Sequence, residues 1–249
     1  MTTQQRRRDK RIQHILEMAI TILATDGLEG LTIQRLASAL DYTPGALYRY
    51  FASKDAILLG VQRLAIEGFV EVFESARQLG RAVADRAELV DPDAAVVELW
   101  ALYHAYVAVA MEQPVRFALI ASSMADPRQL VGDEDSAAIL PPFLEALQPV
   151  ITAIAAASPQ SDPAEAFDRT VALMSGLMGV LTLRKVKRLA PVLLDVHRIA
   201  RVHFRAMVLG FGVSSQQLDR TEALMDAAVG DTPILQLHPN QLLNLEALS

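Results

Sequence analysis

The side chains of greatest chemical use in this 249-residue sequence crowd between positions 30 and 58, which read GLTIQRLASALDYTPGALYRYFASKDAIL. Tyr48, Arg49 and Tyr50 stand in a row, and Lys54 follows four positions on. A phenol can donate to a phosphate oxygen, a guanidinium can reach a phosphate or a guanine edge, and an ammonium can pair with a second phosphate. Just upstream, Pro44, Gly45 and Ala46 give a low-profile helical turn whose free N–H groups can face phosphate. Leu47 and Phe51, at i and i+4, are spaced to anchor that turn while Tyr48 and Arg49 project outward. The plainer reading makes Tyr48 and Tyr50 packing residues and Arg49 a solvated charge, but the complete spacing favours contact with nucleic acid.

A second group lies further on. Trp100, Tyr103, His104, Val107 and Met111 form one stripe at helical spacing, and Phe117, Met124, Phe143, Met174 and Met178 are placed to close around it. Apolar walls with few polar groups suit a small lipophilic or aromatic ligand, and methionines adapt to irregular shapes; the competing reading is ordinary core. Arg184, Lys185, Lys187 and Arg188 come late in a helix, where positive charge is stabilising in any case. The sharper alternative seats an anionic moiety there, such as an acyl-CoA phosphate.

Catalysis has little to work with. Cysteine is absent and five histidines are present, at positions 14, 104, 197, 203 and 238, with no HExxH, GxSxG, P-loop or dinucleotide-binding glycine pattern. His197 and His203 are six apart and fall on different helix faces. We expect no catalytic residues, no metal and no cofactor.

The elements that must hold these groups read as helices throughout. Ile12, Ile15, Leu16, Ala19, Ile20 and Leu23 mark a first helix that stops at Asp26-Gly27. Thr32 caps a second helix from Ile33 to about Leu40, and Thr43 caps a third from Pro44 to Tyr50. Ser53 opens a fourth, reaching about Leu79. Further helices are expected at about 92–112, 114–123, 140–157, 163–188, 191–210 and 214–228, with prolines near several starts. Two short helices joined by a tight turn and braced by a longer one make a helix-turn-helix.

Charge agrees with that division. The net charge is −6, yet residues 1–55 hold eight Lys/Arg against six Asp/Glu, whereas the remainder holds 15 against 23. A basic run, Arg6 to Arg11, opens the chain; it reads either as a solvated end or as an arm adding phosphate or minor-groove contacts. An acidic body limits non-specific adhesion to nucleic acid. No secretory signal is read at the start, and the apolar run Thr170–Leu183 is shorter than the roughly 20 residues that span a bilayer. We therefore expect a cytoplasmic protein with no membrane partner.

The stretch from Gly30 to Leu58 strongly resembles the TetR family of transcriptional regulators. The likeness rests on the GLT entry, the run Ala46-Leu47-Tyr48-Arg49-Tyr50-Phe51, and Ser53-Lys54-Asp55 opening the next helix. Leu99 to Ala121 is similar to C-terminal domains in one branch of that family. The resemblance implies DNA contacts at Thr32, Gln34, Thr43, Gly45, Ala46, Tyr48, Arg49, Tyr50 and Lys54. Asp41 departs from the family's usual glycine, although Asp tolerates left-handed backbone, and Tyr42 replaces a small aliphatic residue.

The expected fold is thus all-α. A three-helix DNA-binding head covers 1–54, a helical ligand-binding and dimerisation domain covers 55–230, and a tail covers 231–249. One such head buries too little surface for tight specific binding, so a homodimer on a palindromic double-stranded operator is expected. The resemblance places the dimer seam on helices 163–188 and 191–210, where Gly176 and Gly179 could admit another backbone. The expected partner besides DNA is a small-molecule effector. The expected role is a ligand-responsive repressor released from its operator by that effector; an activator would differ in operator placement and not in the chain, and a helical ligand-binding or scaffold protein without DNA binding is the alternative.

Overall fold

A computed structural model describes residues 2–125, 140–158, 162–183 and 194–230, with the single positions 186 and 234. Along them run α1 (Thr3–Gly30), α2 (Ile33–Ala39), α3 (Pro44–Leu47), α4 (Lys54–Arg86) and α5 (Asp93–Glu112). These are followed by α6 (Pro114–Ala125), α7 (Leu140–Ala157), α8 (Pro163–Thr182), α9 (Val196–Gly210) and α10 (Ser215–Val229). No strand occurs among the described residues, and the chain is all-α as its periodicity predicts. The tail from 231 lies outside the described residues except for Ile234.

Short polar side chains start the helices by accepting otherwise unpaired first-turn N–H groups. Thr32 Oγ1 accepts from the Arg35 N–H (3.1 Å), Thr43 Oγ1 from Ala46 (3.2 Å) and Ser53 Oγ from Ala56 (3.1 Å). Asp195 and Ser214 do the same for α9 and α10.

Several boundaries differ from expectation. The first helix does break at Asp26-Gly27, where Gly27 leaves helical geometry at φ 69°, ψ −169°, but one further turn follows to Gly30. A positive φ is cheap only where no Cβ is present. The third helix is regular for one turn, after which Tyr50 and Phe51 N–H groups both return to Leu47 O, at 2.9 and 3.0 Å. The fourth helix continues past Leu79 because Val83 and Ala84 extend its buried face. The ninth runs from Val196 with Asp195 as its cap, and the expected start at Pro191 lies outside the described residues.

The chain divides into two compact units, residues 1–68 with 113–143, and 69–112 with 144–249. In the first, α1, α2 and α3 and the start of α4 enclose Ile15, Ala19, Leu36, Leu47, Ile57 and Val61, with Leu119 of α6 against the same cluster. In the second, α9 packs along α8 and α10 along α5. The α5 helix passes a bilayer-length test of apolarity, but 83% of that stretch is buried; it is the central helix of its unit. The α7 helix passes the same test with 33% buried. Gly80 of α4 lets α5 approach closely: a Cβ there would stand 2.7 Å from the Glu98 Cα.

Candidate nucleic-acid interface

Between α2 and α3 the backbone turns on Asp41 at φ 55°, and the Tyr42 N–H returns to Ala37 O at 2.8 Å. The left-handed turn is made here by Asp, one of the few residues that visits it readily. Tyr42 packs its ring against the core of the head, which is what its departure from a small residue accomplishes.

The turn aims α3 outward. Leu47 is fully buried, whereas Tyr48 is 54% exposed and Arg49 is exposed beside it. Gly45 is exposed, and a Cβ added there would meet nothing within 4 Å; the first turn is open to an approaching backbone. Ala46 and Tyr50 are half-buried. Gly45, Ala46, Tyr48, Arg49 and Tyr50 thus share one short stretch, short enough for a groove about 12 Å wide.

Thr32, Gln34 and Thr43 are exposed on α2 and at the start of α3. The two threonine hydroxyls cap helices and keep their own protons for an outside acceptor. Lys54 Nζ donates to Leu28 O at 3.1 Å, tying the end of α1 to the start of α4. An ammonium carries three protons, so two stay free for phosphate.

Two contacts escape sequence reasoning. Arg11 Nη1 donates to the Tyr50 hydroxyl at 3.2 Å across 39 positions. Arg35 pairs with Asp26, fixing α2 to the end of α1. Arg11 stood out only as one member of a basic run.

The second group divides between the two units. Trp100, Tyr103, His104, Val107, Met111, Met174 and Met178 belong to the second, and Phe117 and Phe143 to the first; the Met124 side chain lies outside the described residues. Trp100 is fully buried, and Tyr103 and Val107 are nearly so. Met111, Met174, Met178 and Phe143 are half-buried. Phe204, unremarked in the sequence, packs against both Trp100 and Tyr103 with ring centroids 4.5 and 4.7 Å away.

The Trp100 Nε1 proton finds no acceptor among the described residues. Burial pushes the Tyr103 phenol up to about 12 and holds the His104 imidazole below its ordinary value, although Asp226 Oδ1 is 3.4 Å from Nε2. Gly176 faces its own chain, for a Cβ there would stand 2.2 Å from the His203 ring, while the surface at Gly179 is open. Of the basic cluster 184–188, Arg184, Lys185, Lys187 and Arg188 lie outside the described residues.

Two family descriptions match the chain. Residues 15–61 match the family described as "Bacterial regulatory proteins, tetR family", and residues 99–207 match "Tetracyclin repressor-like, C-terminal domain". A 46-residue segment is 48% identical to the nucleoid occlusion factor SlmA of Actinobacillus pleuropneumoniae, covering 18% of this chain and only 23% of that protein. The fold is similar to that of SCO4313, with a TM-score of 0.62 at 21% identity over 83% of this chain and 98% of the other. It is also similar to the TetR family regulator PfmR of Thermus thermophilus, with a TM-score of 0.53 at 20% identity over 78% and 96%.

A helix-turn-helix head joined to a larger helical unit defines a DNA-binding transcriptional regulator. The chain belongs to the TetR family, whose members are generally DNA-binding and ligand-responsive.

Proposed function

We propose that this chain is a cytoplasmic transcriptional repressor that grips a palindromic operator as a homodimer and releases it when a small lipophilic or aromatic effector binds. The observation that carries this reading is the inversion at α3: Leu47 fully buried, Tyr48 and Arg49 presented to solvent one residue later. Residues 1–54 make the DNA contacts, through Thr32, Gln34, Thr43, Gly45, Ala46, Tyr48, Arg49, Tyr50 and Lys54. Residues 55–230 take the effector and the second copy.

The apolar character of Trp100, Tyr103, Val107 and the half-buried methionines favours a ligand with rings or alkyl chains over a sugar, and an acyl-CoA is a specific case to try. Exposed Val171 of α8 and exposed Val202 and Leu209 of α9 support a seam between copies on those helices. The α4 helix starts beside the DNA-contact residues and is the lever. An effector displaces DNA only to the extent that it prefers the state that cannot bind.

The purified full chain is incubated with a random duplex pool and the retained DNA is sequenced. An enriched inverted repeat is expected, with its retention lost on adding the effector. A pool with no enrichment overturns DNA recognition and leaves a helical ligand-binding protein.

A further inference from the structure

An open cleft of about 610 Å³ lies where the first turns of α1 meet the turn after α3. Its walls include Arg7, Arg8 and Arg11 from α1 with Arg49 and Tyr50 from the other side, and no carboxylate lines it. Arg7 and Arg8 stand four and three residues before Arg11, so the three share one helix face.

Several arginines elsewhere are matched with acids. Arg81 reaches Glu98 at 2.7 Å, Arg220 reaches Asp93 at 2.8 Å, Arg205 reaches Asp219 at 2.5 Å, and Arg201 pairs with Asp226 at 2.6 Å. Among the described residues, Arg7, Arg8, Arg11 and Arg49 have no such partner. Four like charges around one hollow repel one another, in a chain with acid to spare, and an anion seated between them relieves that repulsion.

We infer that this cleft seats backbone phosphates of the duplex flanking the half-site read by α3, so that the protein covers more DNA than its helix-turn-helix alone would. The inference rests on the proposed DNA binding and names a further contact surface for it. DNA is favoured over a free anion because the cleft is open and Arg49 and Tyr50 continue directly into the exposed Gly45–Arg49 surface. Arg11 acts as a positioning residue, its hydrogen bond to the Tyr50 hydroxyl joining the cleft to that surface.

The test compares the full chain with an Arg7→Gln, Arg8→Gln double variant. Fluorescence anisotropy across a salt series uses the selected duplex with its flanks and the same duplex trimmed to the half-sites. Both positions are exposed, so the fold is retained, and circular dichroism checks it.

With the flanked duplex, the slope of log K against log salt becomes shallower by about 1.8 for each bound protomer, at about 0.9 per phosphate. With the trimmed duplex the two proteins coincide, and Arg7→Lys, Arg8→Lys restores the slope. An unchanged slope overturns the cleft while leaving the proposed function standing, and an equal loss on both duplexes overturns its placement on the flanks. Loss of inorganic-phosphate binding with an unchanged DNA slope assigns the cleft to a free anion and overturns the inference. Failure of the unaltered chain to bind any duplex overturns both readings.

Discussion

Arg49 has no carboxylate partner among the described residues, so its full charge is available to DNA. Arg49→Ala is expected to cut affinity for all sequences alike and to lower the salt slope by about 1 if the guanidinium meets phosphate. If it meets a guanine edge, specificity at one base pair relaxes instead; filter binding against single-base operator variants separates the two. At Asp41, whose φ is 55°, Asp41→Ala is expected to cost about 1 kcal/mol, since left-handed backbone is unfavourable for an ordinary side chain, whereas Asp41→Gly is nearly neutral. Equal urea midpoints for the two variants would remove the backbone explanation. Glu98 is 2% exposed, and burial raises its carboxyl above the ordinary 4.5 despite Arg81. The folded chain therefore holds this proton at pH values where the unfolded chain has released it, and the carboxyl's contribution to stability falls as pH rises through 4.5 toward the folded value. Glu98→Gln removes that decline, so its stability relative to the parent should improve with rising pH; a difference that worsens across that range contradicts the sign.

At the scale of elements, the i, i+4 spacing of Leu47 and Phe51 made the inward side of α3 and of the turn after it legible, and the threonines and serine at 32, 43 and 53 marked three helix starts. What stayed hidden depended on partners far away in the chain. Nothing local to Arg11 announces Tyr50, and nothing local to Trp100 announces Phe204, because each pairing exists only after helices pack. Gly80 stayed hidden as well: with the fourth helix expected to end near Leu79 it stood at a helix end, and only the continuation to Arg86 makes it a mid-helix glycine, which costs roughly 1 kcal/mol relative to alanine and here admits α5. Gly80→Ala is expected to lower stability on balance, with about 1–3 kcal/mol of overpacking against the α5 backbone outweighing the gain in helix propensity. Thermal unfolding reads the result, and an increase in Tm would show that α5 can yield. Leu47→Ala, at a fully buried site, should cost about 2–5 kcal/mol and loosen α3 before it affects the larger helical unit.

For the whole molecule, the division of charge is a division of labour: within an acidic chain, Arg7, Arg8, Arg11 and Arg49 gather around one hollow of the head with no carboxylate lining it. The exposed valines and leucine of α8 and α9 make a testable statement at this scale. Val202→Glu, at a position 59% exposed, is expected to shift sedimentation toward monomer and to weaken operator binding together; a variant that stays associated moves the seam elsewhere.

The winding of α1 out to Thr3, with the Thr2 hydroxyl accepting the Gln5 N–H, also bears on the thermodynamics of complex formation. A floppy basic arm gives up about 1–2 kcal/mol of backbone freedom per residue when it settles onto DNA. Arg7 and Arg8 ride on a segment already coiled, so their contacts carry little of that entropic penalty. Calorimetry of the double arginine variant should then show a loss that is mostly counterion release, with a nearly unchanged heat capacity of association.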